Sequence, residues 1–224
     1  MAEVEQVRLI FVIAVLMGTA VFGGEQGDLR IKAIPGPLRW KNSPTSSEAR
    51  ENALTIGAGP STDWYISPVD GKASANAPVL LFQPTEEFVL TAKVTVEFQT
   101  KWDAGTLMVY INDSTWAKFA LEMSVYQQPT IVTVVTRGVS DDCNSASVAG
   151  NSVWLRIAKI GPAIGFYASP DGGSWKMVRA FTFGPAPDMR AGFSSQSPAG
   201  KGGKATFSEI TYSARKIKDI FTGE

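Results

Sequence analysis

An all-β chain, an antiparallel β-sandwich of jelly-roll type, is the fold this sequence predicts, and three observations predict it. Apolar and polar residues alternate over segment after segment, clusters of Gly, Pro, Asn and Asp punctuate those segments, and no long stretch carries the spacing of an amphipathic helix. The clearest segment is 88–98, where Phe88, Leu90, Ala92, Val94, Val96 and Phe98 alternate with Val89, Thr91, Lys93, Thr95 and Glu97. A helix with about 3.6 residues per turn would scatter those apolar side chains around its axis, whereas a strand gathers them on one face. The same alternation recurs at 104–112, 116–125, 163–169 and 204–214, and near-continuous β-branched runs occupy 131–136 and 153–160. Turn residues separate them at Asn112-Asp113-Ser114, Gly161-Pro162 and Asp171-Gly172-Gly173. Roughly a dozen short strands of this kind bury their apolar faces by stacking two sheets.

Composition narrows the function. The chain has 224 residues, 44% hydrophobic and 19% charged, enough to bury a core without disulfides or metal. Its 21 basic and 21 acidic residues cancel, which removes the basic footprint of a nucleic-acid partner. With no histidine, every Ser-His-Asp or Cys-His catalytic arrangement, every His-ligated metal and any histidine pH switch is excluded. Cys143 is the single cysteine, read as a free thiol in a loop.

At the amino end, Leu9 to Phe22 is an uncharged apolar run of the length of a signal-peptide core, too short to cross a bilayer of roughly 30 Å. Small residues at Gly18-Thr19-Ala20 and Gly23-Gly24 offer cleavage points, while Glu3 and Glu5 outweigh Arg8 in a stretch that is normally positive. The expectation is a cleaved signal peptide over 1–24, a secreted or periplasmic protein, and no stable membrane span after cleavage. Cleavage would leave 20 basic and 19 acidic residues. An irregular Pro- and Ser-rich lead-in follows at 25–52, then the jelly-roll domain at 53–214 and a tail at 215–224.

Strand alternation also assigns faces. Ala117, Phe119, Leu121 and Met123 form an apolar face of one strand, so Trp116, Lys118, Ala120 and Glu122 form the other. Trp154 and Arg156 oppose Val153, Leu155 and Ile157; Gly165, Tyr167 and Ser169 oppose Ile164, Phe166 and Ala168. Thr133 shares a face with Arg137, and Gln196 with Ser194. If these strands are neighbours, Trp116, Lys118, Glu122, Thr133, Arg137, Arg156, Tyr167 and Gln196 compose one polar, aromatic surface. Rings stack on the apolar face of a pyranose while planar polar groups take its hydroxyls, so the expected partner is a carbohydrate or glycoconjugate. Ordinary solvent-facing sheet chemistry, with Arg on Trp and Lys paired to Glu, competes with that reading. A protein-interaction or regulatory module using the same surface is the alternative.

Several motifs are familiar as a set. Asn76-Ala77-Pro78, Asp103-Ala104-Gly105, Trp116-Ala117-Lys118, the run Thr133 to Asp142, Val153-Trp154-Leu155-Arg156, Ser169-Pro170-Asp171-Gly172 with Trp175, and Gly192-Phe193 with Gln196-Ser197-Pro198 resemble, in order and spacing, the domain of unknown function 1349 family, also described as regulation-of-enolase-like. The resemblance covers about residues 40 to 212 and implies a concanavalin A-like lectin/glucanase jelly roll, without implying an activity. Glucanases of that shape place their acids on one strand as Glu-x-Asp-x-x-Glu, and no such string occurs here. Glu122 alone sits mid-strand on a polar face, so glycoside hydrolysis ranks behind binding, and no catalytic residue is expected. Asp103, Asp141, Asp142 and Asn144 offer hard oxygen ligands for calcium, although such residues more often close turns through their own backbone. No cofactor is expected beyond that calcium candidate. Asp63-Trp64-Tyr65 reads as an aromatic edge buried between the sheets, and Lys201-Gly202-Gly203-Lys204 as a hairpin.

Overall fold

The structure, a computed structural model, describes residues 29–224, so the expected signal peptide lies outside the described residues. Its strands in chain order are β1 (Arg39–Trp40), β2 (Ser46–Arg50), β3 (Ala53–Ala58), β4 (Trp64–Ile66), β5 (Ala73–Ala75), β6 (Val79–Phe82), β7 (Phe88–Glu97) and β8 (Ala104–Asn112). They continue with β9 (Thr115–Met123), β10 (Pro129–Arg137), β11 (Ser140–Ser147), β12 (Ser152–Ile160), β13 (Ala163–Ser169), β14 (Lys176–Thr182), β15 (Arg190–Gln196) and β16 (Gly203–Ser213). The first sheet runs β1-β6-β15-β8-β9-β10-β11, the second β14-β13-β12-β7-β16-β3-β2, and β4-β5 form a separate small ribbon. This is the antiparallel sandwich that the alternation predicts.

The core lies where the apolar faces meet. Ala117, Phe119 and Leu121 of β9 face Leu155 and Ile157 of β12 and Phe166 of β13, all buried. Phe119 and Phe166 stack across the sheets with centroids 4.7 Å apart and planes 6° apart. Each such side chain contributes about 1.5–3 kcal/mol by leaving water, so the two inner faces hold the fold together. The predicted turn at Asp171 is built as its residues suggest. Asp171 Oδ1 accepts from the backbone N–H of Gly173 at 2.9 Å and Ser174 at 2.8 Å, and Gly172 takes φ +77°.

Three boundaries differ from the sequence reading. The lead-in 25–52 contains β1 and β2, paired to β6 and β3, and Ile31, Ile34 and Leu38 join the core. An edge strand such as β2 is fixed by backbone pairing and leaves its side chains exposed, so it has no alternation to detect. For the same reason the polar run from Ser140 to Asn144 is not a loop but part of β11, with Asp142 opposite Val134 and Asn144 opposite Val132, and the free Cys143 is exposed on that strand. The tail 215–224 lies on the outer face of the second sheet, where Ile217 is buried with Val89, Ala158 and Tyr167.

Candidate functional site

The site grows from β9, an interior strand of the first sheet. Its even positions point away from the core, and register aligns them with their neighbours: Gln196 of β15 lies opposite Ala104 of β8, which lies opposite Glu122; Lys118 lies opposite Val134 of β10, which lies opposite Asp142 of β11. This outer face is not left to solvent. The β4-β5 ribbon lies on it, anchored by Trp64, whose ring meets Tyr110 and Trp116 edge-on at 5.9 Å each and whose Nε1 donates to Ala77 O at 2.9 Å. Trp64 is therefore buried on the outside of the first sheet and not between the two sheets, correcting the expectation for Asp63-Trp64-Tyr65.

With Trp64 turned down, Asp63 and Tyr65 line one wall of a cleft of about 310 Å³. Lys118, Glu122, Val134 and Gln196 come from the sheet beneath, and Trp102, Asp142 and Pro198 complete the lining. Trp102 is 38% exposed and has φ +69°, a left-handed conformation that costs a bulky residue about 1–3 kcal/mol. Its backbone is clamped there: Trp102 N donates to Met123 O at 2.6 Å, and its carbonyl accepts from Gln196 Nε2 at 3.2 Å.

The polar groups form a chain. Lys118 is 3% exposed; its Nζ donates to Asp63 Oδ1 at 3.0 Å and to Gln196 Oε1 at 2.9 Å. Gln196 Nε2 in turn donates to Glu122 Oε2 at a long 3.4 Å. Burial pushes the Glu122 carboxyl up to about 8; Lys118 opposes the shift, and the charges of Asp142 and Asp63 add to it. Asp142, on an exposed edge strand, is raised for the same first reason, its cleft-facing side being partly desolvated, with Lys118 again opposing and Asp63 reinforcing.

Of the eight residues expected to form one surface, the structure brings together Lys118, Glu122 and Gln196. Trp116 is fully buried under Trp64. Thr133 points into the sandwich, where its hydroxyl accepts from Arg179 Nη1 at 3.2 Å. Arg137 is exposed beside Phe183, 5.2 Å from that ring, and donates to Thr182 O. Arg156 and Tyr167 occupy the outer face of the opposite sheet. Arg156 stacks on Trp175 at 3.8 Å and donates to Thr91 Oγ1 and Gly223 O, while the Tyr167 hydroxyl donates to Ile220 O under the tail. Alternation places residues on faces but does not say which sheet a face belongs to, which sends Arg156 and Tyr167 to the other sheet; nor does it say which face of a β-branched run turns inward, which hides Thr133, or what covers a face, which buries Trp116. Asp63, Tyr65 and Trp102 were missed as site residues. The spacing of Asp63 and Tyr65 around an apolar Trp64 was the available signal for two of them.

The calcium candidates do not gather. Asp103 is fully buried, with Oδ2 accepting from Gln99 N at 2.9 Å and Thr100 N at 2.8 Å, and Oδ1 from Ser197 Oγ at 2.7 Å. Asp141 pairs with Arg179 at 2.8 Å, and Asn144 lies further along β11 from Asp142. Among the described residues no three acidic, histidine or cysteine side chains cluster to hold a metal, and no helix is long and apolar enough to cross a membrane.

A two-sheet jelly roll with a roofed cleft on one outer face is thus the class of protein defined by fold and site. Residues 40–215 match the family described as protein of unknown function (DUF1349), and the chain belongs to that family. It is 26% identical over 177 residues to Regulation of enolase protein 1 of Saccharomyces cerevisiae, covering 78% of this chain and 88% of the yeast protein. A solved structure of a functionally unknown S. cerevisiae protein aligns with TM-score 0.74 and 24% identity, covering 80% of this chain and 97% of that one. A GH43 protein of Bacillus licheniformis aligns at 0.60 and 15%, over 80% of this chain and 37% of its own. A xylan β-1,4-xylosidase of Bacillus halodurans aligns at 0.59 and 12%, over 73% and 33%. These structural likenesses establish the jelly roll. The secreted or periplasmic location read from Leu9 to Phe22 is corrected by the yeast relative, whose name points to a protein of the cell interior and not to an exported one.

Proposed function

We propose that this protein binds carbohydrate, or the glycan of a glycoconjugate, in the cleft between the β4-β5 ribbon and the first sheet, without cleaving it. The observation that carries the reading is the convergence, in one cleft of about 310 Å³, of two aromatic side chains, Tyr65 and Trp102, with the planar amide of Gln196 and the carboxyls of Glu122 and Asp142. Aromatic rings gain from covering the C–H face of a sugar, and planar acceptors and donors match pairs of vicinal hydroxyls. A strained tryptophan at the mouth is in keeping with a binding site, where such strain concentrates. The polar groups below are already ordered by the Lys118, Gln196 and Asp63 contacts, so a ligand would not have to organise them. No cleavage is assigned, since the sequence lacks the one-strand Glu-x-Asp-x-x-Glu arrangement of glucanases of this shape, and Asp63 is committed to Lys118.

A glycan array probed with the full chain tests this. Binding is expected to fall at least about tenfold in Trp102→Ala and Tyr65→Ala, equivalent to about 1.4 kcal/mol, with melting temperatures close to the parent. An array with no positive glycan, or positives indifferent to both substitutions, overturns the reading. The second reading, a regulatory protein contact, draws on the name of the yeast relative and predicts direct association with purified enolase, measurable by calorimetry.

A further inference from the structure

We infer that the cleft is selective for a glycan bearing a free ammonium group, an amino sugar, with the cation seated between Glu122 and Asp142 and the rings of Tyr65 and Trp102. The inference rests on the carbohydrate reading above and specifies its ligand class.

Charge accounting in the cleft leads there. Its lining holds three carboxyl groups, Asp63, Glu122 and Asp142, against one ammonium, Lys118. That ammonium is buried and already committed, donating to Asp63 at 3.0 Å and to Gln196 Oε1 at 2.9 Å. Asp63 and Lys118 cancel as a pair. Gln196 cannot neutralise anything, and its amide N–H is shared between Trp102 O and Glu122 Oε2. Glu122, 8% exposed, therefore keeps one long neutral hydrogen bond and no cation, and among the described residues Asp142 has neither an ion pair nor a side-chain donor. Two carboxyls remain in surplus in a partly desolvated space, where a carboxylate without a cation is costly; Glu122 accordingly holds its proton in the free protein below about pH 8 and would release it to solvent when an ammonium takes the proton's place.

The rings supply the second half of such a site. An ammonium is attracted to the faces of Trp and Tyr, and aromatic rings beside carboxylates are how proteins seize organic cations. Trp102 already displays this behaviour, with Lys101 Nζ lying 4.3 Å from its ring centroid. Burial is the first cause of the raised titration of Glu122 and Asp142, with neighbouring carboxyls adding to it, and a cation between them would favour both ionised forms. A uronic acid would add a further negative charge to the cleft, and an N-acetylated sugar would leave the surplus uncompensated.

The test compares three tetrasaccharides on the full chain by isothermal calorimetry at about pH 6, where an amino sugar carries its proton. They are the β-1,4-glucosamine tetramer, its fully N-acetylated counterpart and tetragalacturonate. The glucosamine tetramer is expected to bind at least about tenfold more tightly than the acetylated one, and the uronate to give no heat. Asp142→Asn, on the exposed edge strand, is expected to reduce that preference with the melting temperature close to the parent, and Asp142→Asn with Glu122→Gln to abolish it. Equal binding of the amino and acetylated tetramers, both weakened by Trp102→Ala, overturns the inference and leaves the carbohydrate reading standing. If no tetramer binds and the glycan array is also blank, both fall.

Discussion

The outer faces of the two sheets carry similar side chains and end in opposite conditions. On the first sheet Trp116, Lys118, Glu122 and Gln196 lie under a ribbon that rests on Trp64 and leaves a cleft beside it. On the second, Arg156, Tyr167 and Trp175 lie under the tail. Ile217 and Ile220 fill the apolar ground there, Ile220 and Gly223 carbonyls take the Tyr167 and Arg156 donors, and a Cβ on Gly223 would come within 2.9 Å of the Tyr167 ring. Burial pushes the Tyr167 phenol up to about 12, consistent with a group closed in by its own chain. Aromatic and charged residues on a sheet exterior thus do not make a site; what covers them does. A ribbon propped on a buried tryptophan leaves room beside it, and a strap whose own carbonyls satisfy the donors leaves none.

The comparison breaks most severely at Trp64. Trp64→Ala removes the ring between Tyr110 and Trp116, and a stability loss of about 3–5 kcal/mol in urea denaturation is expected, together with loss of ligand binding as the wall carrying Asp63 and Tyr65 detaches. Glu122 gives a smaller, pH-dependent effect. Its carboxyl titrates near 4.5 when unfolded and at about 8 when folded, so between those values the folded chain holds the extra proton. Its contribution is complete below about pH 4.5 and is lost as pH rises through 8, so stability declines across that window by up to a few kcal/mol. Melting curves from pH 5 to pH 8.5 are expected to show that decline in the parent and a flatter profile in Glu122→Gln, with the variant the more stable at the alkaline end. Smallest is Tyr167→Phe, which removes the hydroxyl bonded to Ile220 O. About 1 kcal/mol of stability is expected to go, with glycan affinity unchanged, because that ring serves the strap and not the cleft.

Much of the architecture was legible because alternation is a direct imprint of a half-buried strand. Segments 88–98, 104–112 and 163–169 coincide closely with β7, β8 and β13. Edge strands β2 and β11 were not legible, since exposed backbone pairing places no demand on side chains. The grouping of Lys118 with Glu122 could be read within one strand, and Gln196 joined them through a register that sequence leaves open. Asp63 and Tyr65 reach the cleft only because a ribbon some 55 residues from Lys118 folds back over the sheet. Arg156 was misplaced because alternation does not name the sheet, and Thr133 because a run of β-branched residues does not name its inward face.

The most direct measurement is a two-dimensional NMR titration of the indole N–H signals of the full chain with its best array glycan. The account predicts that the Trp102 indole signal shifts with ligand concentration while those of Trp154 and Trp175, on the strapped face, stay in place. Movement of Trp154 and Trp175 with a silent Trp102 would contradict it.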